Sequence, residues 1–269
     1  MNVPKLVFIV PYKNRPEEKL HFSIYMKYIL EDYNENEYEI YYSHQLENKP
    51  FSRGGTKNIG FIAVKNKYPE DYKNITFVFN DVDTVPSEKN MLNFITSKGI
   101  VKHFFGFNYT LGGIFSITGE DFEICNGFPN LYGWGLEDNA MNDRVIANNI
   151  KIDRSVFYLI GSKKIINFTN DIRKLVDNKD PRDYKEKRFI DNLHNINDLD
   201  YTIVFNKENV SKKSSNEFMI NINKFTSLKN PLHKEYYIQD MSKTTKVYLD
   251  VLEKQRTREQ WSMYKFMGK

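Results

Sequence analysis

At 269 residues the chain is long enough to bury a sizeable core in one large α/β domain, with or without an appendage, and two equal domains are not expected. Its 39 basic and 35 acidic residues are interspersed, so the net charge of +4 builds no basic face and gives no sign of a nucleic-acid partner. The longest apolar runs fall far short of the ~20 residues a membrane helix needs, no leader opens the chain, and the lone Cys125 has no disulfide partner within it; the expectation is a cytoplasmic protein without a membrane span.

Leu6 to Val10 reads as a strand, stopped by Pro11 and a polar turn. Glu17 to about Glu31 has helical spacing, with Leu20, Ile24, Tyr28 and Ile29 on one face, and Tyr38 to Tyr42 reads as a second strand. A polar loop holding Gly54 and Gly55 precedes a second helix, which runs to about Asn66 and buries Ile59, Ile62 and Ala63. A third strand, Ile75 to Phe79, follows. This β-α-β-α-β order predicts a parallel sheet with right-handed crossovers, and ligands of such sheets bind off the carboxyl ends of the strands. Three turns therefore converge on one crevice: those after Val10, after Tyr42, and the one carrying Asp81 and Asp83.

Further on, Leu111 to Ile117 reads as a strand opened by Gly112 and Gly113, and Thr118 with Asp121 resembles a capping box for a helix ending near Gly127. A glycine- and aromatic-rich loop, Asn126 to Asp138, leads into a helix from about Glu137 to Asn149, and Ile152 to Ile160 reads as a strand. The charged stretch Asn170 to Asn197 is expected to be loop-rich, with Asp198 and Asp200 in a solvated turn. Tyr201 to Phe205 and Phe218 to Ile222 are short strand candidates, and about Gln239 to Phe266 has helical spacing at Val247, Leu249 or Val251, and Leu252. The expected division is a domain at 1–205 and an extension at 206–269 that packs on it.

Two carboxylates one residue apart at a strand end suit a divalent cation held against a phosphorylated ligand, yet on this segment alone exposed turn acids fit Asp81 and Asp83 equally well. Lys13 and Arg15 on the first turn suit a phosphate clamp, and Phe51 with Arg53 on the second offers a flat ring beside a guanidinium; a solvated loop and a core Phe are the plainer readings. In Trp134-Gly-Leu-Glu-Asp138, acids at a helix start are commonly dipole complements. The preceding loop nevertheless carries conformational entropy and an exposed Trp, and a Trp beside a carboxylate suits a sugar: the ring covers a pyranose face while the acid takes a hydroxyl or its proton. No P-loop, dinucleotide fingerprint or Gly-x-Ser-x-Gly elbow occurs, and the five histidines lack zinc-ligand spacing.

Taken in order, Pro11 to Arg15, Phe51-Ser-Arg53 with Asn58-Ile-Gly-Phe61, Asp81-Val-Asp83, Gly112-Gly113 and Asn126 to Asp138 resemble the beta-1,4-galactosyltransferase family of GT-A glycosyltransferases. The resemblance spans about Leu6 to Ile160 and leaves the C-terminal tail uncovered. It implies a mixed, mostly parallel central sheet flanked by helices, with a helical C-terminal extension. Pro11, Lys13, Arg15, Phe51, Arg53, Asp81, Val82 and Gly113 would bind a UDP-sugar donor, and Asp83 would ligate Mn2+ or Mg2+. Tyr132, Trp134, Gly135, Glu137 and Thr110 would contact sugars, and Asp138 would be the general base of an inverting transfer to a glycan or glycoconjugate hydroxyl. A catalytically inactive glycan- or nucleotide-sugar-binding module of the same fold is the alternative.

Three departures from the family pattern stand out. The Met-x-x-His that completes its metal site has no His here in the corresponding stretch, near Phe157 to Lys164. Trp-Gly-Trp-Gly-Gly becomes Tyr132-Gly-Trp-Gly-Leu136, and the bulky residue two before Gly-Gly is Thr110, which leaves room for an N-acetyl group on the donor sugar.

Overall fold

A computed structural model describes residues 2–168, 173–177, 189–205, 216–228 and 236–240. Its centre is three parallel strands: β1 (Leu6–Tyr12) lies between β2 (Tyr38–Gln45) and β3 (Thr76–Asn80), joined by α1 (Pro16–Ile29) and α2 (Arg53–Lys67). The expected order and direction hold because β1 is apolar throughout and is buried on both faces. Val7 and Ile9 join Tyr41, Phe61, Phe77, Phe79 and Phe115 in one core, while Leu6, Phe8 and Val10 join Phe22, Met26 and Val78 in the other.

The sheet grows to nine strands. Beyond β3 come β6 (Ile114–Thr118) and β5 (Ile100–Gly106), both antiparallel to their inner neighbours, and then β7 (Lys151–Asp153) and β8 (Tyr158–Leu159), parallel to β5. On the other side, β12 (Glu217–Thr226) runs parallel to β2 and carries β11 (Asn197–Phe205) antiparallel at the edge. Two small ladders complete the described structure, β4 (Thr84–Pro86) with β9 (Ile165–Asn167) and β10 (Arg173–Asp177) with β13 (Tyr236–Asp240). The mixed, mostly parallel sheet with helices packed against it is that of a GT-A fold.

Several elements differ from the sequence expectation. Along α1 the buried apolar side chains are Phe22, Met26 and the expected Ile29, and Leu20, Ile24 and Tyr28 face outward, because a second stripe at helical spacing carries the larger Phe and Met. Gly54 and Gly55 lie inside the first turn of α2 rather than in a loop. A Cβ on Gly54 would sit 2.1 Å from the Pro129 carbonyl oxygen, so the glycine lets the helix start press against the loop after residue 126. The expected strand Ile152 to Ile160 is broken into β7 and β8, and β5 and β9 were not anticipated.

Asp198 and Asp200 lie in the bulged start of β11, where they accept hydrogen bonds from Thr226 and Asn223 of β12. Residue 205, the expected domain boundary, ends β11, whose partner β12 sits inside the main sheet. Gln239 and Asp240, at the head of the expected C-terminal helix, belong to β13, and 241–269 lie outside the described residues. Among the described residues, no helix is long and apolar enough to cross a membrane. Cys125 is buried, and burial pushes its thiol up to about 12, which leaves it inert.

Candidate functional site

The carboxyl ends of β1, β2 and β3 open into one pocket of about 760 Å³. Pro11 enters it from the end of β1 and Lys13 and Arg15 from the turn that follows, Phe51 from the turn after β2 and Arg53 from the first residue of α2, and Asp81, Val82 and Asp83 from the turn after β3. Opposite them stand Thr110, Gly112 and Gly113 from the loop between β5 and β6, and Trp134, Glu137 and Asp138 around the start of α4 (Glu137–Ala147). Two expected residues are not in the wall. Tyr132 is buried and its ring stacks on Phe225, 6.0 Å between centroids, so it supports the loop from beneath. Gly135, at φ +109, serves the backbone turn and does not line the cavity.

Arg53 links the two sides. Its Nη2 donates to both oxygens of Asp81 at 2.6 and 2.7 Å, while its Nη1 donates to Glu137 Oε1 at 2.6 Å and Asp138 Oδ2 at 2.7 Å. The acid of the strand-end turn and both acids of the helix start therefore lie around one guanidinium. Arg15, on the neighbouring turn, pairs with Asp83 at 2.9 Å and also with Glu18. Lys13 donates to the carbonyls of Gln45 and Glu47, and burial lowers its pKa against the pull of Glu47.

Asp138 has a second cation that sequence reading did not single out. Lys57, one turn along α2 from Arg53, is buried and donates from Nζ to Asp138 Oδ1 at 3.1 Å. Burial pushes the Asp138 carboxyl up, but Arg53 and Lys57 outweigh it and hold the group below the usual carboxylate range. The signal was present in the chain, since residues 53 and 57 are spaced to share one helix face, but the buried lysine is meaningful only once Asp138 is placed beside it. Glu137 is also buried, and its Oε2 finds no hydrogen-bond donor among the described residues. A buried carboxylate oxygen left so costs about 1–3 kcal/mol, and a ligand hydroxyl would repay it.

The Trp134 loop is held by side chains bonded to its backbone. Asn58 accepts from the Phe128 N–H and donates to the Phe128 carbonyl and to Asn130 Oδ1. Asp191 accepts from the Asn130 backbone and side-chain amides. The buried Arg144 of α4 donates to the carbonyls of Asn126, Gly127 and Asp191. Leu136, the residue before α4, is held at φ +76, a conformation natural to glycine and strained for leucine.

The opposite wall is fixed by His103 and Arg154. His103 is fully buried; its Nε2 faces the carbonyls of Phe105 and Gly112 at 3.0 and 3.1 Å, and its Nδ1 lies 3.0 Å from Arg154 Nε. Since Nδ1 accepts from Arg154, the proton belongs on Nε2, where it is shared by the two carbonyls. Burial and then Arg154 lower its pKa to about 4, so the ring is neutral at ordinary pH. Arg154 also donates to the Thr110 carbonyl. Gly112 must lack a side chain, because a Cβ there would lie 2.1 Å from Asp138 Oδ2.

Among the described residues, no three His, Cys, Asp or Glu side chains converge as a metal cage. What is present suits a hard divalent cation of the Mg2+ or Mn2+ kind, which is commonly held by one or two carboxylates together with substrate phosphates. Asp83 and Asp81 are the carboxylates that could serve in this way, and Asn167 adds an amide in the same wall. The segment that meets Asp83 is β9 with Phe168, whose N–H donates to the Asp83 carbonyl at 2.7 Å. The segment beside Asp83 thus falls a few residues beyond Phe157 to Lys164, and among the described residues it offers Asn167 and Phe168 and no His.

Comparison with known proteins agrees with this geometry. A family model described as the N-terminal region of glycosyl transferase group 7 matches residues 2–94, and one described as the N-terminal domain of galactosyltransferase matches residues 101–167. Mouse beta-1,4-galactosyltransferase 1 is 31% identical over 159 residues, which is 56% of this chain and 39% of that protein, so the chain spans about two fifths of that relative's length. The catalytic domain of Drosophila beta-1,4-galactosyltransferase 7, solved with xylobiose, superposes with a TM-score of 0.59 at 23% identity, covering 82% of this chain and 94% of that one. A mutant of the same enzyme, solved with manganese, UDP-Gal and xylobiose, gives a TM-score of 0.55 at 20% identity over the same shares. With both regions of the family matched, and with its strand-end acids and its Trp-loop acids gathered around one arginine, the chain belongs to the beta-1,4-galactosyltransferase family, glycosyltransferase group 7.

Proposed function

We propose that the protein is an inverting glycosyltransferase that moves a hexose or N-acetylhexosamine from a UDP-sugar to a hydroxyl of a glycan or glycoconjugate. The observation that carries this reading is the bridge of Arg53 between Asp81 and the Glu137–Asp138 pair, since it brings a diphosphate-binding turn and an acid suited to hydroxyl activation to opposite walls of one pocket. The relatives named for galactosyl transfer, and the neighbour solved with manganese, UDP-Gal and xylobiose, support the same class of donor, metal and acceptor.

The base of the nucleotide would stack on Phe51, with the diphosphate taken by Lys13, Arg15 and Arg53. Asp83, helped by Asp81, would hold Mn2+ or Mg2+. The ion, when bound, neutralises charge on the leaving diphosphate. Trp134 would cover an apolar sugar face and Glu137 Oε2 would accept a sugar hydroxyl. Asp138 would accept the proton of the acceptor hydroxyl as its oxygen attacks the anomeric carbon; the bond from that carbon to the diphosphate oxygen breaks, its electron pair leaves with UDP, and the configuration inverts. Loss of a general base lowers rate by about 10²–10⁴-fold. Asp138→Asn should therefore abolish acceptor-dependent UDP release while leaving UDP affinity near the wild-type value by calorimetry. Normal turnover in that variant would remove the assignment.

Donor choice would be set at the Thr110 wall. Thr110 is small and mostly buried, its hydroxyl turned to the Phe107 carbonyl, which leaves space beside Gly112 and Gly113 for a substituent on the sugar's second carbon. UDP-N-acetylhexosamines are accordingly expected among the substrates along with UDP-hexoses.

A further inference from the structure

Arg53 and Lys57 both bind Asp138, but their circumstances differ. Arg53 is shared with Asp81 and Glu137 and borders the diphosphate end of the pocket, so an arriving donor competes for it. Lys57 is absent from the pocket wall, is buried, and lies 4.5 Å from the Phe128 ring centroid, against which its stem and ammonium are packed. Phe128 is itself clamped by both ends of the Asn58 amide, one residue along α2 from Lys57. The arginine lines the pocket and the ammonium lies behind its wall.

Charge counting sharpens the contrast. Asp81, Glu137 and Asp138 surround Arg53, so three carboxylates face one guanidinium, and Lys57 is the only other cation hydrogen-bonded to them among the described residues. The remaining titratable neighbour of Asp138 among the described residues is His103 on β5, which is neutral at ordinary pH and bonded to the carbonyl of Gly112, the residue whose missing side chain leaves room for Asp138. If Arg53 turns toward a donor, Asp138 and Glu137 would face each other in a desolvated wall with Lys57 as their remaining counter-charge, and like charges so placed favour taking up a proton. A protonated Asp138 cannot act as a base.

We propose that Lys57 is a positioning residue, the permanent counter-ion of Asp138, which keeps that carboxylate charged and aimed at the acceptor hydroxyl after the donor has drawn Arg53 to its diphosphate. This rests on the reading of Asp138 as the base. In a resting enzyme the two cations overlap in their effect; in the donor complex they do not. The device trades basicity for constancy, since a carboxylate held by an ammonium is a weaker base but remains deprotonated in acid. That exchange suits a reaction in which the hydroxyl becomes acidic only as its bond to the anomeric carbon forms.

The test is the pH dependence of acceptor-stimulated UDP release under saturating donor for the wild type, Lys57→Met, Lys57→Arg and Asp138→Asn. Lys57→Met is expected to move the acid limb of the kcat profile to higher pH by about 1 unit or more, with much of the rate recovered above it, and Lys57→Arg to keep the wild-type limb. An unmoved limb with a uniform fall in rate at every pH would overturn the proposal and leave Lys57 a packing residue. An active Asp138→Asn would instead overturn the base reading, whatever Lys57 does, so the two failures are distinguishable. Circular dichroism melting of each variant identifies loss of fold; should Lys57→Met unfold, Lys57→Gln carries the same pH comparison.

Discussion

The two walls of the pocket are built by different means. The wall proposed to take the nucleotide consists of turns that leave three adjacent parallel strands, with the start of α2, so Lys13, Arg15, Asp81 and Asp83 take their places from a backbone ladder that the core holds, and Arg53 from the helix that follows β2. The wall proposed to take the sugars consists of a loop and a helix start with no ladder through them, held instead by Asn58, Arg144 and Asp191 on one side and by His103 and Arg154 on the other. A wall hung on a sheet tolerates the loss of one side chain, whereas a wall hung on buried hydrogen bonds loses its shape when one donor is removed.

The largest effect that sharpens this contrast is at Arg144. Its removal as Arg144→Met leaves the Gly127 and Asp191 carbonyls without the Arg144 donor and the Asn126 carbonyl with the Leu193 N–H alone; it should cost about 3 kcal/mol of stability, read from the urea midpoint, while raising the acceptor KM far more than it weakens UDP binding. Equal losses of UDP and acceptor binding would erase the distinction between the walls.

His103 gives a comparable effect through pH. Its folded pKa of about 4 lies below the unfolded value of 6.5, so below pH 6.5 the unfolded chain binds a proton that the native state refuses. Its contribution is complete above pH 6.5 and is lost as pH falls from about 6.5 toward 4, by about 3 kcal/mol in all. His103→Gln should flatten that part of the stability profile. An unchanged slope in the variant would mean that the ring is not the neutral clasp of the Gly112 loop.

Leu136 gives the smallest effect and the opposite sign. The residue pays for φ +76, so Leu136→Gly should raise stability by about 0.5–1 kcal/mol, seen as a small increase in melting temperature, and a fall in melting temperature would show that packing of the Leu side chain outweighs the backbone strain.

The same division governed what the sequence could reveal. The parallel core and its converging turns were legible because each strand is a continuous apolar run that stops at a polar turn, and Asp81 and Asp83 follow such a run directly. The pairing of those acids with Glu137 and Asp138 was expected only through the family resemblance, since no local pattern connects residue 81 with residue 138. Nothing local in the sequence marks Lys57, since a lysine in an amphipathic helix ordinarily points to water, and its burial follows from Phe128 and Asp138 packing over it. Tyr132 is implied as a sugar contact only by the family resemblance, and the stacking on Phe225 of β12 places its ring in the core instead. Leu20, Ile24 and Tyr28 formed a valid helical stripe, but α1 carries two such stripes and tertiary packing chose the one with Phe22 and Met26.

Across both walls the central claim is that donor and acceptor meet at Arg53. It is tested most directly by measuring UDP release from a panel of UDP-hexoses and UDP-N-acetylhexosamines, with and without Mn2+ and with and without oligosaccharide acceptors. The account predicts release that needs the metal and is accelerated by acceptor. Tight UDP binding with no release over hours across the panel, or release that no acceptor accelerates, would contradict it.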